Sequence, residues 1–295
     1  MTYLSVTEFA ERHGVPVRTV RNYCAAGKIP GAFRTGRTWN IPEDAALPRF
    51  GGSRVLISPL LAALREQKEM GLKGGIYHRT QVDMTYNSNH MEGSRLTHEQ
   101  TRHIFETNTI GVTEGGANVD DIVETVNHFR CIDMVIDRAG EKLTESFIKE
   151  LHALLKSGTS DSRRDWFAVG DYKKLPNEVG GLDTTEPERV AAEMKMLLQR
   201  YNRLEGKSLD DILDLHWRFE CIHLFQDGNG RVGRLLMFKE CLANGHIPFI
   251  ISDELKMSYY RGLQQWPRIR EYLRDTCLTA QDEYKVLLRK FRIPF

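Results

Sequence analysis

The stretch that most restricts what this chain can fold into is a glycine-rich turn, Gln226-Asp227-Gly228-Asn229-Gly230-Arg231-Val232-Gly233, set between two helical repeats. Before it, Ile212, Leu215, Phe219 and Ile222 recur at steps of three or four, the spacing of one buried helix face. After it, Leu235, Leu236 and Phe238 open another apolar helix. The string from Gly228 to Gly233 matches the G-x-G-x-x-G dinucleotide fingerprint, with Asp253 about 20 residues beyond, but that fingerprint needs a buried strand before its first glycine. Here a helix precedes it. An EF-hand is disfavoured because no Asp or Asn series leads to a glutamate at the twelfth position. His216, Cys221 and His223 lack the spacing of a usual zinc site.

A turn of this kind can bind an anion. Backbone N-H groups from Gly228 to Arg231 form a concavity at a helix N-terminus, and Arg231 and Arg234, three apart, project from one face of the first turn. That geometry suits a polyphosphate. A bland alternative reads His223 as a helix cap and Gly-Asn-Gly as a tight turn. Against it stands the crowding of a histidine, a carboxylate, an anion nest and two arginines into twelve residues.

The rest of the chain frames this turn. Its 295 residues allow one large domain or two unequal ones, and 41% hydrophobic with 27% charged residues marks a soluble globular protein. No apolar run approaches the length that spans a bilayer, Glu8 and Glu11 interrupt any secretory signal, and five scattered cysteines fit a reducing cytoplasm. From Pro59 onward the periodicity predicts helices over 59–70, 78–91, 97–106, 118–138, 143–156, 187–203, 208–222, 231–243, 255–265 and 278–291. Residues 157–186 hold turn formers and little periodicity, so a short hairpin is expected there. The fold class is therefore mainly α. Residues 1–48 read as a separate small module and 49–74 as a linker with a connecting helix around Pro48 and Gly51-Gly52. The main domain runs over 75–277, and 278–295 is a C-terminal helix.

The string His223-Leu224-Phe225-Gln226-Asp227-Gly228-Asn229-Gly230-Arg231-Val232-Gly233-Arg234 resembles the H-x-F-x-[D/E]-G-N-G-R-x-x-R signature of Fic-domain proteins at all eight specified positions. One departure is Leu224, where the family usually has proline. The resemblance implies a helical domain that transfers AMP from ATP to a hydroxyl of a target protein, or of the chain itself. His223 would be the general base, a task suited to a group titrating near neutrality. Asp227 would hold Mg²⁺ bridging the α- and β-phosphates, because hard cations prefer oxygen ligands. Asn229 and the backbone of Gly228 and Gly230 would hold phosphates, Arg231 would neutralise the leaving pyrophosphate, and Arg234 would meet the γ-phosphate. Phe225 reads as core.

Upstream, Tyr86-Asn87-Ser88-Asn89-His90-Met91-Glu92-Gly93 is similar to the family's [S/T]-x-x-x-E-[G/N] inhibitory helix, matched by Ser88, Glu92 and Gly93 within a helix over about 84–93. The resemblance implies that Glu92 pairs with Arg234 and misplaces the nucleotide. Some members also remove AMP with the equivalent glutamate. Homo-oligomers are a family habit. The segment Asn177 to Gly181 looks like the family's flap, which aligns a target by strand addition, a mode that relies on backbone. Tyr259 resembles the family's aromatic residue beside the nucleotide, whereas paired tyrosines on a helix also serve as packing.

Residues 3–42 resemble excisionase-like winged helix-turn-helix modules through Tyr3-Leu4-Ser5-Val6, Gly14-Val15-Pro16, Thr19-Val20-Arg21, Gly27-Lys28-Ile29-Pro30 and Gly36-Arg37-Thr38-Trp39. The overall charge of +1 hides a balance of +4 in the first 40 residues against −3 in the other 255. Arg18 and Arg21 on the second helix, and Arg34 and Arg37 on a wing running from Ala32 to Ile41, could meet DNA phosphates. The competing role for this module is a docking cap. The expected protein is thus a self-inhibited adenylyltransferase using ATP and Mg²⁺, with DNA as a further partner. The alternative is a transcriptional regulator whose Fic domain senses nucleotide without turnover.

Overall fold

In a computed structural model, the described residues are 2–13, 15, 17–25, 27–36, 38–46, 58–111, 116–179 and 182–295. The chain divides into two compact units, residues 1–54 and 55–295.

The first unit begins with β1 (Tyr3–Leu4), α1 (Val6–His13) and α2 (Val17–Ala25), and closes with β2 (Phe33–Thr35) and β3 (Thr38–Pro42). The strands are antiparallel in the order β1-β3-β2, with Tyr3 opposite Pro42 and Arg34 opposite Trp39. The wing expected from alternation is β2 and β3. The third strand, β1, was not expected, because two residues carry no period; Pro42, taken as the end of the wing, pairs with it. The apolar stripes of α1 and α2, Val6, Phe9, Ala10, Val20 and Cys24, close on Ile29 and Ile41 as one small core. Arg18, Arg21 and Arg34 are exposed. Arg37 and the turn residues Gly14 and Pro16 lie outside the described residues.

The second unit is helical apart from one hairpin. Its elements are α3 (Pro59–Met70), α4 (Ile76–Met91), α5 (His98–Thr107), α6 (Val119–Asp137), α7 (Glu145–Lys156), β4 (Glu178–Val179), β5 (Leu182–Asp183), α8 (Pro187–Arg203), α9 (Leu209–Ile222), α10 (Asn229–Ala243), α11 (Lys256–Gln265) and α12 (Glu271–Lys290). Boundaries follow the local chemistry. Thr97, Asn118, Thr144 and Ser208 each accept a hydrogen bond from an amide of the first turn of α5, α6, α7 and α9. Three helices start earlier than the periodicity predicts, α4 among them, at Ile76 where 78 was expected. The helix expected at 231 begins at Asn229, and the one expected at 278 begins at Glu271, so residue 277 marks no break.

The centre of this unit is α10, every residue of which from Arg231 to Leu242 is buried. Val232, Leu235, Leu236 and Phe238 face the main core with Phe147, Leu151 and Phe219, while Met237 and Cys241 enter a second cluster with Ile212, Trp266 and Cys277. A helix enclosed on all sides must carry its polar groups satisfied. Lys239, with no exposed side chain, accordingly donates to the carbonyls of Ala139 (3.3 Å) and Glu141 (2.7 Å) and to Glu240 Oε1 (2.8 Å). The helix α4 meets α6 through a polar seam: Gln81 Nε2 donates to Asp133 Oδ1 (2.9 Å), Thr85 Oγ1 pairs with His128 Nδ1 (3.0 Å), and Asn89 Nδ2 donates to Thr125 Oγ1 (3.3 Å).

Close approach of α11 to α12 depends on Gly262, where an added Cβ would stand 2.6 Å from Leu273 Cα and 2.8 Å from its nitrogen. Backbone cannot yield as a side chain can. Gly262→Ala is expected to destabilise the chain by about 1–3 kcal/mol, read as a lowered urea midpoint with an unchanged slope.

Candidate active site

The loop between α9 and α10 is shaped by two residues in the left-handed region. His223 ends α9 with φ +49° while its N-H donates to Phe219 O, and Gly228 starts α10 with φ +82°. Positive φ is uncommon for a histidine and marks a position held by its surroundings. The holding groups are visible. Asn229 Oδ1 accepts from Phe225 N and its Nδ2 donates to Phe225 O, both at 2.8 Å, which closes the loop on itself. Phe225 is fully buried and stacks on the His152 ring with centroids 3.8 Å apart. His152 Nδ1 accepts from the Gly170 amide (2.9 Å), so Nε2 carries the proton and donates to Asp227 O (3.1 Å). Burial pushes His152 down to about 3, so the ring stays a neutral strut.

The Asn229 side chain, expected to hold phosphates, is buried and spends its carbonyl oxygen and one of its two N-H donors on Phe225, which leaves its second N-H outside these loop bonds. The amides of Asn229, Gly230 and Arg231 lie ahead of the first intrahelical bond of α10, from Val232 N to Gly228 O, and supply the anion concavity. Glu92 lies close by: a Cβ on Gly230 would collide with Glu92 Oε1 and stand 2.9 Å from Arg234 Nη1, so a larger residue here would require these two side-chain ends to shift.

Glu92 caps the end of α4, and Gly93 beyond it takes φ +96°. Arg234 Nη2 donates to Glu92 Oε1 (2.6 Å) and to Ser88 O (3.0 Å), and its Nε donates to Ser88 Oγ (3.0 Å). Ser88, Glu92, Gly93 and Arg234 are thus brought together. Burial works against the Arg234 charge, but the Glu92 carboxylate outweighs it and raises the pKa.

At the other side of the loop, Asp227 Oδ2 accepts from Lys156 Nζ (2.6 Å) and Arg231 Nη2 (3.1 Å). Glu124 bonds both cations from α6. Burial disfavours the Asp227 carboxylate, but the Arg231 and Lys156 charges win and hold it well below the usual range. The sequence reading missed Lys156, Glu124 and His152. The available signal was a charged residue on a helix face otherwise built for the core: Lys156 is 2% exposed. The Asp227 side chain keeps 44% of its surface open, and no group of three or more His, Cys, Asp or Glu among the described residues could cage an ion. This donor set fits a Mg²⁺ that arrives with a nucleotide and keeps phosphate and water ligands.

His223 is held below the ordinary histidine value first by burial and then by the Lys173 charge, with the Glu92 and Asp227 carboxylates pulling the other way. It is neutral at pH 7, the form that accepts a proton. Tyr259 is 1% exposed and its hydroxyl lies 2.6 Å from His216 Nε2, which fits the packing alternative for this tyrosine. The partly exposed ring is Tyr260, whose hydroxyl donates to Met91 O (3.4 Å).

Residues 142–241, which span α7 to α10, match the Fic/DOC family, and residues 3–45 match a helix-turn-helix domain family. The chain carries a Fic/DOC domain. A Fic domain-containing signalling protein of Bacteroides thetaiotaomicron is 27% identical, with a TM-score of 0.59 over 79% of this chain and 94% of that one. A Fic protein of C. elegans shares the fold, with a TM-score of 0.62 at 17% identity over 79% of this chain and 72% of that one. The protein adenylyltransferase Fic of Drosophila grimshawi is 28% identical over 211 residues, 69% of this chain and 40% of that protein; that of Drosophila willistoni is 27% identical over 242 residues, 78% and 45%. The chain thus spans less than half the length of these curated relatives. The string from His223 to Arg234 falls inside the Fic/DOC domain, and the segment from Ser88 to Gly93 lies ahead of it.

Two outcomes follow for the loop. Asn229→Ala is expected to cost about 1–3 kcal/mol, because the buried Phe225 N-H loses its acceptor while Phe225 O keeps only its bond from Asn177 Nδ2; chemical denaturation measures it. The ¹³C-labelled His223 imidazole is expected to titrate below 6.5 in NMR, and a midpoint at or above that value would contradict the burial and charge at this position.

Proposed function

We propose that the chain is a protein adenylyltransferase that holds itself inactive through Glu92. The observation that carries this reading is the Glu92 carboxylate lying on Gly230 at the positive end of α10 while paired with Arg234, 2.6 Å away. Arg234 is engaged here by the protein's own anion, and the neutral His223 stands at the loop's other end.

In the proposed reaction, His223 takes the proton from a target hydroxyl as its oxygen attacks the α-phosphorus of ATP. The bond from that phosphorus to the bridging oxygen breaks, and pyrophosphate leaves with the electron pair. The N-terminal amides of α10 hold phosphate oxygens, and Arg231 offsets the charge that grows on the leaving group. Asp227 would hold Mg²⁺, which supplies charge neutralisation on the phosphates when bound. With Arg234 engaged by Glu92 and Ser88, the γ-phosphate has no guanidinium to meet. Misplacement of a reacting atom by about 1 Å can cost on the order of a hundredfold in rate.

Glu92→Gly is expected to raise label transfer from α-labelled ATP to protein, self-modification included, by at least about tenfold, and His223→Ala in that background to abolish it. No gain in the first variant, or labelling kept in the second, would overturn the reading. The rate should stay flat through neutral pH and fall only on acidification below 6.5, as a depressed histidine finally gains its proton. ATP binding without any transfer in Glu92→Gly would instead favour the nucleotide-sensing regulator.

For the first unit, the exposed Arg18, Arg21 and Arg34 on a helix-turn-helix fold support DNA as a partner. Gel shift on the chain's own upstream DNA should show binding that weakens steeply with salt and is lost in Arg18→Ala/Arg21→Ala. Salt-insensitive or absent binding would leave a docking cap.

A further inference from the structure

The hairpin β4–β5 is bound to the loop after His223 by side chains, and one buried cation joins the parts. Lys173 is 3% exposed. Its amide donates to Leu224 O at 2.9 Å, and its Nζ donates to Asn177 Oδ1 and Thr184 Oγ1, each at 2.6 Å. Asn177 precedes β4 and Thr184 follows β5, so this single ammonium bridges both feet of the hairpin. The feet are also tied to each other and to the loop. Thr184 Oγ1 lies 2.6 Å from Asn177 Oδ1 and 2.8 Å from Asn177 O; Asn177 Nδ2 donates to Phe225 O (3.0 Å), and the Leu175 amide donates to Gln226 Oε1 (3.3 Å).

We propose that Lys173 is a positioning residue, which fastens the hairpin to the loop bearing His223 so that a protein segment paired with the hairpin comes into line with the base. The proposal rests on reading the site as an adenylyltransferase centre. Nothing about stability explains why a lysine stands there. Among the described side chains no carboxylate comes within ion-pair distance, and a buried ammonium held by neutral oxygens is costly. Burial accordingly pushes Lys173 down to about 8. A charge kept in such a place has two effects that an apolar residue could not supply: it satisfies two acceptors that face each other across the hairpin feet, and it lies near His223. The charged groups facing His223 are Lys173 from the hairpin side, Glu92 from the end of α4 and Asp227 from the loop, with the Glu220 carbonyl from α9. Of the three side chains, only Lys173 favours the neutral base.

The full chain is compared as native, Lys173→Met, Lys173→Arg and Thr184→Val, the last removing one acceptor with little change of shape. By amide hydrogen exchange, Lys173→Met is expected to speed exchange at residue 173 and at Phe225 by tenfold or more and to leave the middle of α10 unchanged. Thr184→Val should act in the same direction with a smaller effect. The His223 imidazole should titrate higher in Lys173→Met than in the native chain, and Lys173→Arg should restore both readouts. In the Glu92→Gly background, Lys173→Met should lower protein labelling by about tenfold while the affinity for ATP stays within about twofold. Unchanged exchange at both amides, an unmoved His223 titration, or full labelling despite a loosened loop would each overturn the proposal. If Glu92→Gly with Lys173 intact transfers no label, the adenylyltransferase reading fails, and the exchange and titration experiments still decide whether Lys173 couples hairpin and loop.

Discussion

Arg234 lies 6% exposed between α4 and α10, and burying a guanidinium is expensive unless its donors are matched. The match comes from one turn of α4: Ser88 supplies a hydroxyl and a carbonyl, and Glu92, four residues on, supplies a carboxylate. The placement of Ser88 and Glu92 along α4 and the nearness of the Glu92 carboxylate to Gly230 at the start of α10 go with that contact. Without Glu92, Arg234 would keep its bonds to Ser88 and be open to another anion, and under the proposed function one ion pair would serve both the stability of the resting state and its control.

A second cluster has the same logic with different partners. Asp227, Lys156, Arg231 and Glu124 alternate in charge around the far side of the loop, drawn from α6, α7 and α10. Breaking a buried pair by removing one member leaves an uncompensated charge, so these four residues hold one another in place. Between the two clusters runs the loop from His223 to Gly228, closed by Asn229 on Phe225 and braced from α7 by His152. His223, in a left-handed position, is thus followed by a loop fixed from both sides.

Much of this was legible beforehand. The spacing of Ile212, Leu215, Phe219 and Ile222 marked α9, the Gly-Asn-Gly turn marked the break between α9 and α10, and the family resemblance pointed to Ser88 and Glu92 as the segment that meets Arg234. The wing of the first unit showed in alternation, although β1 did not, since a two-residue strand has no period to detect. Asn229 and Tyr259 were matched to a nucleotide through the family resemblance, and tertiary structure adds that Asn229 closes its own loop and Tyr259 bonds His216 inside the core. Lys156, Glu124 and Lys173 passed unnoticed because an isolated charge on a helix or near a turn usually faces water.

The sequence by itself determined the helical class, the anion turn between two helices, the Fic-like string and a basic first unit, because these depend on neighbours at steps of one to four. Tertiary structure decided which charges are buried together. Glu124 and Arg231 stand 107 residues apart, and Ser88 and Arg234 stand 146 apart. No local period encodes such pairs; they form only when α4, α6, α7 and α10 pack around one core, and the cost of leaving any of these charges alone makes the pairing specific.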